Sequence, residues 1–230
     1  MSQDSPFRVA IVGCGNISQA YGNSLNTKPE KVQILGAYDL DSERANAYTE
    51  EFGGQAYSSL EAVLEDDRIE AVINLTIHSA HAEVTAAALK AGKHVHVEKP
   101  LATNRQDGQM VVNLAEEKGL RLSASPFTFL GEGQQTVLKA IQSGQIGQVL
   151  TAYAEMNWAR IERWHSNPVP FYQQGVGPML DVGVYALTFL TSVLGRVKDV
   201  QGHAEICQPE RRSNTGKSYR VTTPDQVTGF

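Results

Sequence analysis

The feature that most constrains this sequence is a glycine-rich turn that directly follows a short apolar run near the N-terminus. The run is RVAIV at residues 8–12, and the turn is GCGNIS at residues 13–18. An apolar run that stops at glycine is typical of a strand buried on both faces of a sheet. The residues after the turn predict a helix over about 17–27. The pattern therefore predicts a strand, a tight turn and a helix in immediate succession.

Strand and helix patterns alternate through the first half of the chain. Further strands are predicted at 32–38, 71–77, 94–98 and 120–125, and further helices at 42–52, 58–66, 81–91 and 103–119. Two of these helices open with the spacing of a capping box, at Ser58–Glu61 and Thr103–Gln106. Such alternation implies βαβ units with right-handed crossovers. We therefore predict an α/β fold in which residues 1–124 form a Rossmann domain, with a doubly wound parallel sheet.

In this context the glycine turn predicts a dinucleotide-binding site. Gly13 would permit the tight turn, and Gly15 would let the backbone approach a pyrophosphate. Asn16 and Ile17 open the following helix, whose amides would face the phosphates. The third position of the fingerprint holds Ser18, a small residue in place of glycine.

Asp39 ends the second predicted strand, about 20 residues after the turn, where an acid can bond the adenosine ribose hydroxyls. A carboxylate there repels a 2′-phosphate, so the sequence favours NAD. Arg44 is close enough in sequence to leave NADP possible. The alternative is a glycine turn without a ligand and an exposed Asp39, and the strand–helix context favours the site.

Charged residues also follow the strand at 94–98. Parallel sheets bind ligands at the carboxyl ends of their strands, and Glu98, Lys99 and Pro100 lie at such an end. From the residues alone, this segment is equally well a solvated strand terminus or part of a site.

The pattern changes after Pro126. Helices are predicted at 132–142 and 183–194, alternating strands at 149–158 and 197–207, a polar turn at 211–217 and a strand beginning at 226–230. Long alternating strands around helices are typical of an antiparallel sheet that is covered on one face. Residues 125–230 are therefore predicted to be an α+β domain with an open-faced sheet, through which a homo-oligomer would form.

Charge and cysteine usage narrow the possible partners. With 25 acidic and 20 basic residues, the chain has no electrostatic footprint for nucleic acid or an anionic membrane. No apolar stretch is long enough to span a bilayer, and the first residues lack the features of a signal peptide. Two cysteines are too few for a disulfide framework, which favours a reducing, cytoplasmic setting.

The motifs of the sequence, in their order, resemble those of the glucose–fructose oxidoreductase and inositol dehydrogenase family (Gfo/Idh/MocA). The resemblance runs from about residue 7 to the end and is carried by residues 13–17, 76–81, 91–95, 98–102, 144–147 and 175–185. It implies an NAD(P)-dependent oxidoreductase. Such an enzyme transfers hydride between nicotinamide and a secondary alcohol or carbonyl of a sugar, cyclitol or related polyol.

The resemblance assigns further residues to the cofactor. Lys99 matches the lysine that touches both cofactor and substrate hydroxyl, and Glu98 matches the acid beside the nicotinamide ribose. Thr76 and His81 belong to the second shared motif, and His81 matches a histidine near the cofactor.

The resemblance also implies a catalytic group of Lys99, Asp181 and Tyr185. Many members have histidine where this chain has Tyr185. Tyrosine has an ordinary pKa near 10, so it needs help to act as a base at neutral pH. A neighbouring ammonium such as that of Lys99 favours the phenolate, and Asp181 could orient the pair. Without the resemblance, Tyr185 also fits a core aromatic of its helix.

Aromatic and basic residues cluster before the Asp181 motif. They are Trp158, Arg160, Trp164, His165 and Tyr172. They could stack on a sugar-like ligand and bond its hydroxyls, with Trp158 and Arg160 favoured, or they could form a packed loop or a subunit contact. Four histidines could be drawn into a metal site, but no cysteine or acid pattern completes the ligand set, so we expect no metal.

Two other functions are compatible with these residues. Some members of the family hydrolyse glycosides with bound NAD and no net redox change, and a non-catalytic dinucleotide or sugar sensor would keep the fold alone. Family members continue well past the equivalent of Phe230, so we expect this chain to be truncated within its second domain.

Overall fold

The computed structural model describes residues 5–157, 159–165 and 167–230. Trp158, a predicted substrate contact, lies outside the described residues. The chain divides into two compact units, the first ending at Ser125 and the second beginning at Pro126. Within the described part of the chain, no helix is long and apolar enough to cross a membrane.

The first unit is built on a six-stranded parallel sheet. Its strands are β1 (Phe7–Val12), β2 (Val32–Tyr38), β3 (Gln55–Ala56), β4 (Ala71–Asn74), β5 (His94–Val97) and β6 (Leu122–Ala124). They lie in the order β3-β2-β1-β4-β5-β6, and every neighbouring pair is parallel. The order changes direction at β1, which leaves a crevice at the carboxyl ends of β1 and β4. The predicted doubly wound sheet is confirmed.

The described residues of this unit form five α-helices. They are α1 (Asn16–Leu25), α2 (Ser42–Phe52), α3 (Leu60–Glu65), α4 (His81–Lys90) and α5 (Arg105–Glu117). Alternate residues of β1 enter two separate apolar clusters, Ala10 and Val12 one of them and Val9 and Ile11 the other. Because successive side chains of a strand point to opposite faces, the sheet is covered on both sides.

The second unit has less regular structure. It contains α6 (Glu132–Gln142), a π-helical turn at Met179–Gly183 and α7 (Val184–Leu194). Two antiparallel ladders follow, one pairing β7 (Gly202–Glu205) with β10 (Gln226–Gly229) and one pairing β8 (Glu210–Arg212) with β9 (Ser218–Arg220). The coarse prediction of a small antiparallel-sheet domain is confirmed.

Three sequence predictions differ from the structure in this unit. Residues 149–157 form no strand, and all of them except Val149 are exposed, because their alternating pattern finds no neighbouring ladder in the described chain. The strand predicted at 197–207 is limited to β7. The polar turn predicted at 211–217 is shorter, since Arg211 belongs to β8 and its side chain is only 10% exposed.

Candidate active site

Gly13 allows β1 to end against β4. Its φ of 95° is one that other residues rarely adopt, and a Cβ there would lie 2.7 Å from the backbone of Leu75. Its N–H donates to the carbonyl of Tyr38 at 2.8 Å. Glycine is therefore required where the chain leaves the sheet.

Gly15 faces open space instead. A Cβ added there would meet nothing within 4 Å, and no side chain caps the N-terminus of α1, which begins at Asn16. The adjacent Ile17 is 45% exposed. The first amides of a helix carry partial positive charge and seek acceptors. The open cradle and these donors fit the pyrophosphate of a dinucleotide.

Ser18 holds the turn from inside. It is 1% exposed, and its hydroxyl donates to the carbonyl of Gly15 at 2.7 Å. The close contact between α1 and α2 is made by Gly22, where a Cβ would lie 2.7 Å from the ring of Phe52. Glycine is unfavourable inside a helix, and at Gly22 it has a packing role.

Asp39 lies directly beside this turn. One carboxylate oxygen accepts from the N–H of Cys14 at 2.7 Å, and the other accepts from the N–H of Asp41 at 2.9 Å. Burial, followed by the negative charge of Asp39, raises the pKa of the Cys14 thiol to about 12. Arg44 pairs with Asp41 at 3.3 Å. Arg44 thus has an acidic partner other than Asp39.

A buried polar group ends β4. Asn74 is fully buried, and its Oδ1 accepts from the hydroxyl of Thr76 at 2.7 Å and from its N–H at 3.3 Å. Its Nδ2 donates to the carbonyl of His81 at 3.0 Å and to the hydroxyl of Thr85 at 3.1 Å. These bonds turn the chain, so the strand stops at Asn74 rather than continuing to Ile77 as the sequence predicts.

His81 links the loops that follow β4 and β5. It is 1% exposed, its Nδ1 lies 2.7 Å from the carbonyl of Pro100, and its Nε2 lies 3.0 Å from the carbonyl of Thr76. Burial lowers the pKa of His81, while the two carbonyls oppose this shift. With both ring nitrogens facing backbone oxygens, His81 reaches the candidate site through Thr76 and Pro100.

Glu98 and Lys99 follow the end of β5. One carboxylate oxygen of Glu98 accepts from the hydroxyls of Tyr21, at 2.8 Å, and Ser125, at 3.2 Å. The other accepts from the N–H of Lys99 at 3.0 Å. Both Glu98 and Lys99 are half-buried. In the first unit, the predicted acids, Asp39 and Glu98, therefore both lie at the carboxyl edge of the sheet.

Sequence reasoning missed the groups around Glu98. Tyr21 also lies 3.0 Å from the Nε2 of His96, which is 75 positions away in sequence. The sequence offers one pointer: His94 and His96, two of the four histidines considered as metal ligands, are two positions apart and so lie on one face of β5. Among the described residues, no group of three or more His, Cys, Asp or Glu side chains is arranged to hold a metal ion.

The second unit contains the remaining predicted residues. Asp181 lies in the π-helical turn and is 7% exposed, and Tyr185 lies in the first turn of α7 and is half-buried. Arg160 is exposed and lines a polar groove with Arg163 and Arg212.

The aromatic cluster of this unit is divided. Tyr172 is 5% exposed and donates to Glu162 at 2.9 Å, whereas Trp164 is 57% exposed. His165 packs against Phe171, with 4.9 Å between ring centroids. Tyr172 therefore belongs to the small core of the unit.

Comparison with known proteins gives relatives over nearly the whole chain. A dTDP-3,4-didehydro-2,6-dideoxy-alpha-D-glucose 3-reductase from Actinomadura kijaniata is 29% identical over 97% of this chain and 67% of the relative. The WlbA dehydrogenase from Bordetella pertussis, solved with NADH and UDP-GlcNAcA, has a TM-score of 0.82 at 23% identity, covering 94% of this chain and 71% of that one.

A third relative is a solved 3-ketoreductase, also from Actinomadura kijaniata. A tyrosine-to-phenylalanine mutant of it, in complex with TDP-benzene and NADP, is 30% identical with a TM-score of 0.68, covering 86% of this chain and 60% of that one. This chain thus spans roughly three fifths to seven tenths of the proteins it resembles.

Family models match both units. The model of an oxidoreductase family with an NAD-binding Rossmann fold, GFO/IDH/MocA, matches residues 7–125. The model of the GFO/IDH/MocA C-terminal domain matches residues 134–230. The first match alone covers more than half of the chain. The matched residues include the glycine turn, whose geometry fits a dinucleotide. This chain belongs to the GFO/IDH/MocA family of oxidoreductases.

Proposed function

We propose that this chain carries the cofactor domain and the catalytic residues of an NAD(P)-dependent oxidoreductase acting on a secondary alcohol or carbonyl of a sugar, cyclitol or related polyol. The observation that carries the proposal is the open cradle at Gly15 on the carboxyl edge of the sheet. The same cofactor site includes six further residues: Gly13, Asn16, Ile17, Asp39, Thr76 and Glu98. His81 holds the backbone of this site through its contacts with Thr76 and Pro100.

The proposed chemistry divides hydride and proton transfer. Nicotinamide, when bound, accepts or gives the hydride. Tyr185 takes the hydroxyl proton of the alcohol or returns it to the carbonyl, Lys99 supplies the positive charge that favours the phenolate, and Asp181 orients the pair. The 3-ketoreductase has been solved as a lysine-to-alanine mutant and as a tyrosine-to-phenylalanine mutant. Lysine and tyrosine are also the residue types that the proposal assigns to proton transfer.

Cofactor and substrate follow from the same residues. Asp39 supports NAD over NADP, and solved relatives bind NADH or NADP. The sugars named for these relatives are nucleotide-linked, which makes nucleotide sugars the first substrates to test. Arg160, at the polar groove of the second unit, and Trp158 are proposed substrate contacts.

The setting of the enzyme is also a proposal. Two free cysteines support a reducing cytoplasm. Large apolar side chains are exposed in the second unit, among them Leu150, Leu187, Val197 and Val200. Such exposure supports a homo-oligomer formed through this unit.

The deciding experiment is a panel of sugars, polyols and nucleotide sugars assayed with NAD(H) and NADP(H) in parallel. Substrate-dependent formation or consumption of reduced nicotinamide supports the proposal. Release of aryl groups from glycosides without accumulation of NADH would instead support the redox-neutral hydrolase. Tight cofactor binding with no turnover across the panel would support a sensor.

A further inference from the structure

We propose that Tyr21 and His96 are positioning residues for Glu98, and that a directed hydrogen-bond chain from Ser123 through His96 and Tyr21, joined by Ser125 at the same carboxylate oxygen, holds this carboxylate in its orientation. The inference rests on the proposed function, since Glu98 is placed there at the nicotinamide ribose. All five residues belong to the first unit.

The chain of contacts is continuous. The hydroxyl of Ser123 lies 2.9 Å from Nδ1 of His96, and Nε2 of His96 lies 3.0 Å from the hydroxyl of Tyr21. The Tyr21 hydroxyl donates to Glu98 at 2.8 Å. Ser125, 6% exposed, lies 3.2 Å from both the Tyr21 hydroxyl and the same carboxylate oxygen.

Counting protons gives the chain a single direction. An ionised carboxylate only accepts, so Tyr21 spends its one O–H proton on Glu98. The oxygen of Tyr21 must then accept from His96, which requires a proton on Nε2. In a neutral ring Nδ1 is left as an acceptor, and the Ser123 hydroxyl is placed to donate to it. Each bond from Ser123 through His96 and Tyr21 to Glu98 is then satisfied by neutral side chains, and the single proton of the Ser125 hydroxyl is donated to Glu98.

The environment favours this neutral form of His96. Burial lowers its pKa, although the negative charge of Glu98 opposes the shift. Ser123, at the other end of the chain, is exposed. The histidine therefore donates toward the half-buried carboxylate, through Tyr21, and accepts from the solvent side.

The chain also joins the two halves of the proposed cofactor site. Tyr21 lies on α1, the helix that begins at the glycine turn, and Glu98 lies just beyond β5. A bond between a neutral donor and a carboxylate is stronger than one between two neutral groups. Tyr21 thus ties the helix that faces the phosphates to the acid proposed to hold the nicotinamide ribose.

Titration of the protein with NADH, followed by fluorescence, tests the role of Tyr21. Tyr21→Phe should weaken NADH affinity by roughly tenfold, in line with the loss of a charge-assisted hydrogen bond. In a Glu98→Gln background the same change should have less than about a twofold effect, because the bonded carboxylate is already gone. Equal losses in the two backgrounds would overturn the proposal.

Tyr57→Phe is the matched control. The Tyr57 hydroxyl also donates to a carboxylate, that of Asp66 at 2.7 Å. Tyr57 directly follows β3, at one edge of the sheet, whereas Glu98 follows β5, near the other edge. Tyr57→Phe should leave NADH affinity unchanged. An equal loss in Tyr57→Phe would mean that the Tyr21 effect is a general loss of rigidity, and would overturn the proposed role.

A second measurement needs no cofactor. NMR of the ring nitrogens in ¹⁵N-labelled protein near pH 7.5 should show that the His96 ring is neutral with its proton on Nε2. A proton on Nδ1 alone, or on both nitrogens, would overturn the direction of the chain. Wild-type protein that binds neither NADH nor NADPH would overturn the proposed function and the inference with it. Normal binding by wild type and Tyr21→Phe alike would overturn the inference alone.

Discussion

The carboxylate of Asp39 accepts a hydrogen bond from the backbone N–H of Cys14 at 2.7 Å. The acid that follows β2 is thereby tied to the turn that follows β1, and its other oxygen is held by the N–H of Asp41. Two backbone donors hold the carboxylate in place. Its charge therefore stands at a defined place beside the glycine turn, where it can discriminate between cofactors.

Asp39→Ala should shift cofactor preference toward NADP. Removing the carboxylate removes its repulsion of a 2′-phosphate and its bonds to ribose hydroxyls, so the ratio of kcat/KM for NAD to that for NADP should fall by about tenfold or more. Asp39→Asn separates the two effects, because an amide oxygen can still accept from Cys14. An unchanged ratio in both variants would exclude Asp39 as the selectivity residue.

Alanine substitutions at the two glycines of the turn should affect different properties, stability at Gly13 and NADH affinity at Gly15. Gly13→Ala places a Cβ 2.7 Å from the Leu75 backbone at a φ of 95°, so it should lower the free energy of unfolding by about 3 kcal/mol or more. Gly15→Ala meets nothing within 4 Å. It should change stability by about 1 kcal/mol at most.

Gly15→Ala should instead affect the cofactor. It should weaken NADH binding by about tenfold or more, because its methyl group would occupy the space proposed for the phosphates. Urea unfolding and NADH titration of both variants provide the test. A Gly15→Ala protein with wild-type affinity would show that no ligand approaches this turn.

The first unit could be predicted from sequence because its signals are local. Apolar runs ending at glycine marked β1, and β2 and α2 have the predicted bounds of 32–38 and 42–52. Helix starts were displaced by one residue. Ser59 and Asn104 are the caps, accepting from the amides of Ala62 and Asp107. Adjacent polar residues compete for the cap, and only backbone geometry decides between them.

The remaining features depend on partners that are distant in sequence. Tyr21 meets Ser125 across 104 positions and Arg211 meets Glu162 across 49, and no local pattern links them. Residues 149–157 alternate as a strand does, yet alternation describes only one side of a ladder. Local periodicity predicts which face of a strand could be buried, whereas the neighbouring strand that buries it is determined by the tertiary structure.

Lys99→Met and Tyr185→Phe should abolish most turnover while leaving NADH binding. Both changes remove the groups proposed to move and stabilise the hydroxyl proton, and general acid–base catalysis typically contributes about 10² to 10⁴-fold. Steady-state rates and NADH titrations measure the two effects separately. Near-normal kcat in both variants would reject the assigned roles.

Arg211→Met should destabilise the second unit. The guanidinium lies between Glu162, at 2.9 Å, and Asp225, at 2.6 Å, with the ring of Tyr172 4.3 Å away. Removing it leaves two buried carboxylates unpaired, which typically costs about 3–5 kcal/mol. The exposed Arg212→Met is the control, with a change of about 0.5 kcal/mol or less. Urea unfolding followed by tryptophan fluorescence reports on this unit, because both tryptophans belong to it. Similar midpoints for the two variants would contradict the prediction.

The same cluster should make stability depend on pH. Burial raises the pKa of Glu162 and Asp225, but hydrogen bonds, including those from Arg211, outweigh it and hold both pKa values below their ordinary range. A pKa lower in the folded than in the unfolded chain stabilises the fold above the unfolded value, near 4, and that contribution disappears as the pH falls through the folded value. The unpaired carboxylates of Arg211→Met have no such advantage and lose their penalty on protonation. The gap in unfolding free energy between wild type and Arg211→Met should therefore narrow from pH 7 to below about pH 4. Unfolding curves collected at both pH values measure it, and a gap that stays constant or widens in acid would mean that the carboxylates do not carry the stabilisation.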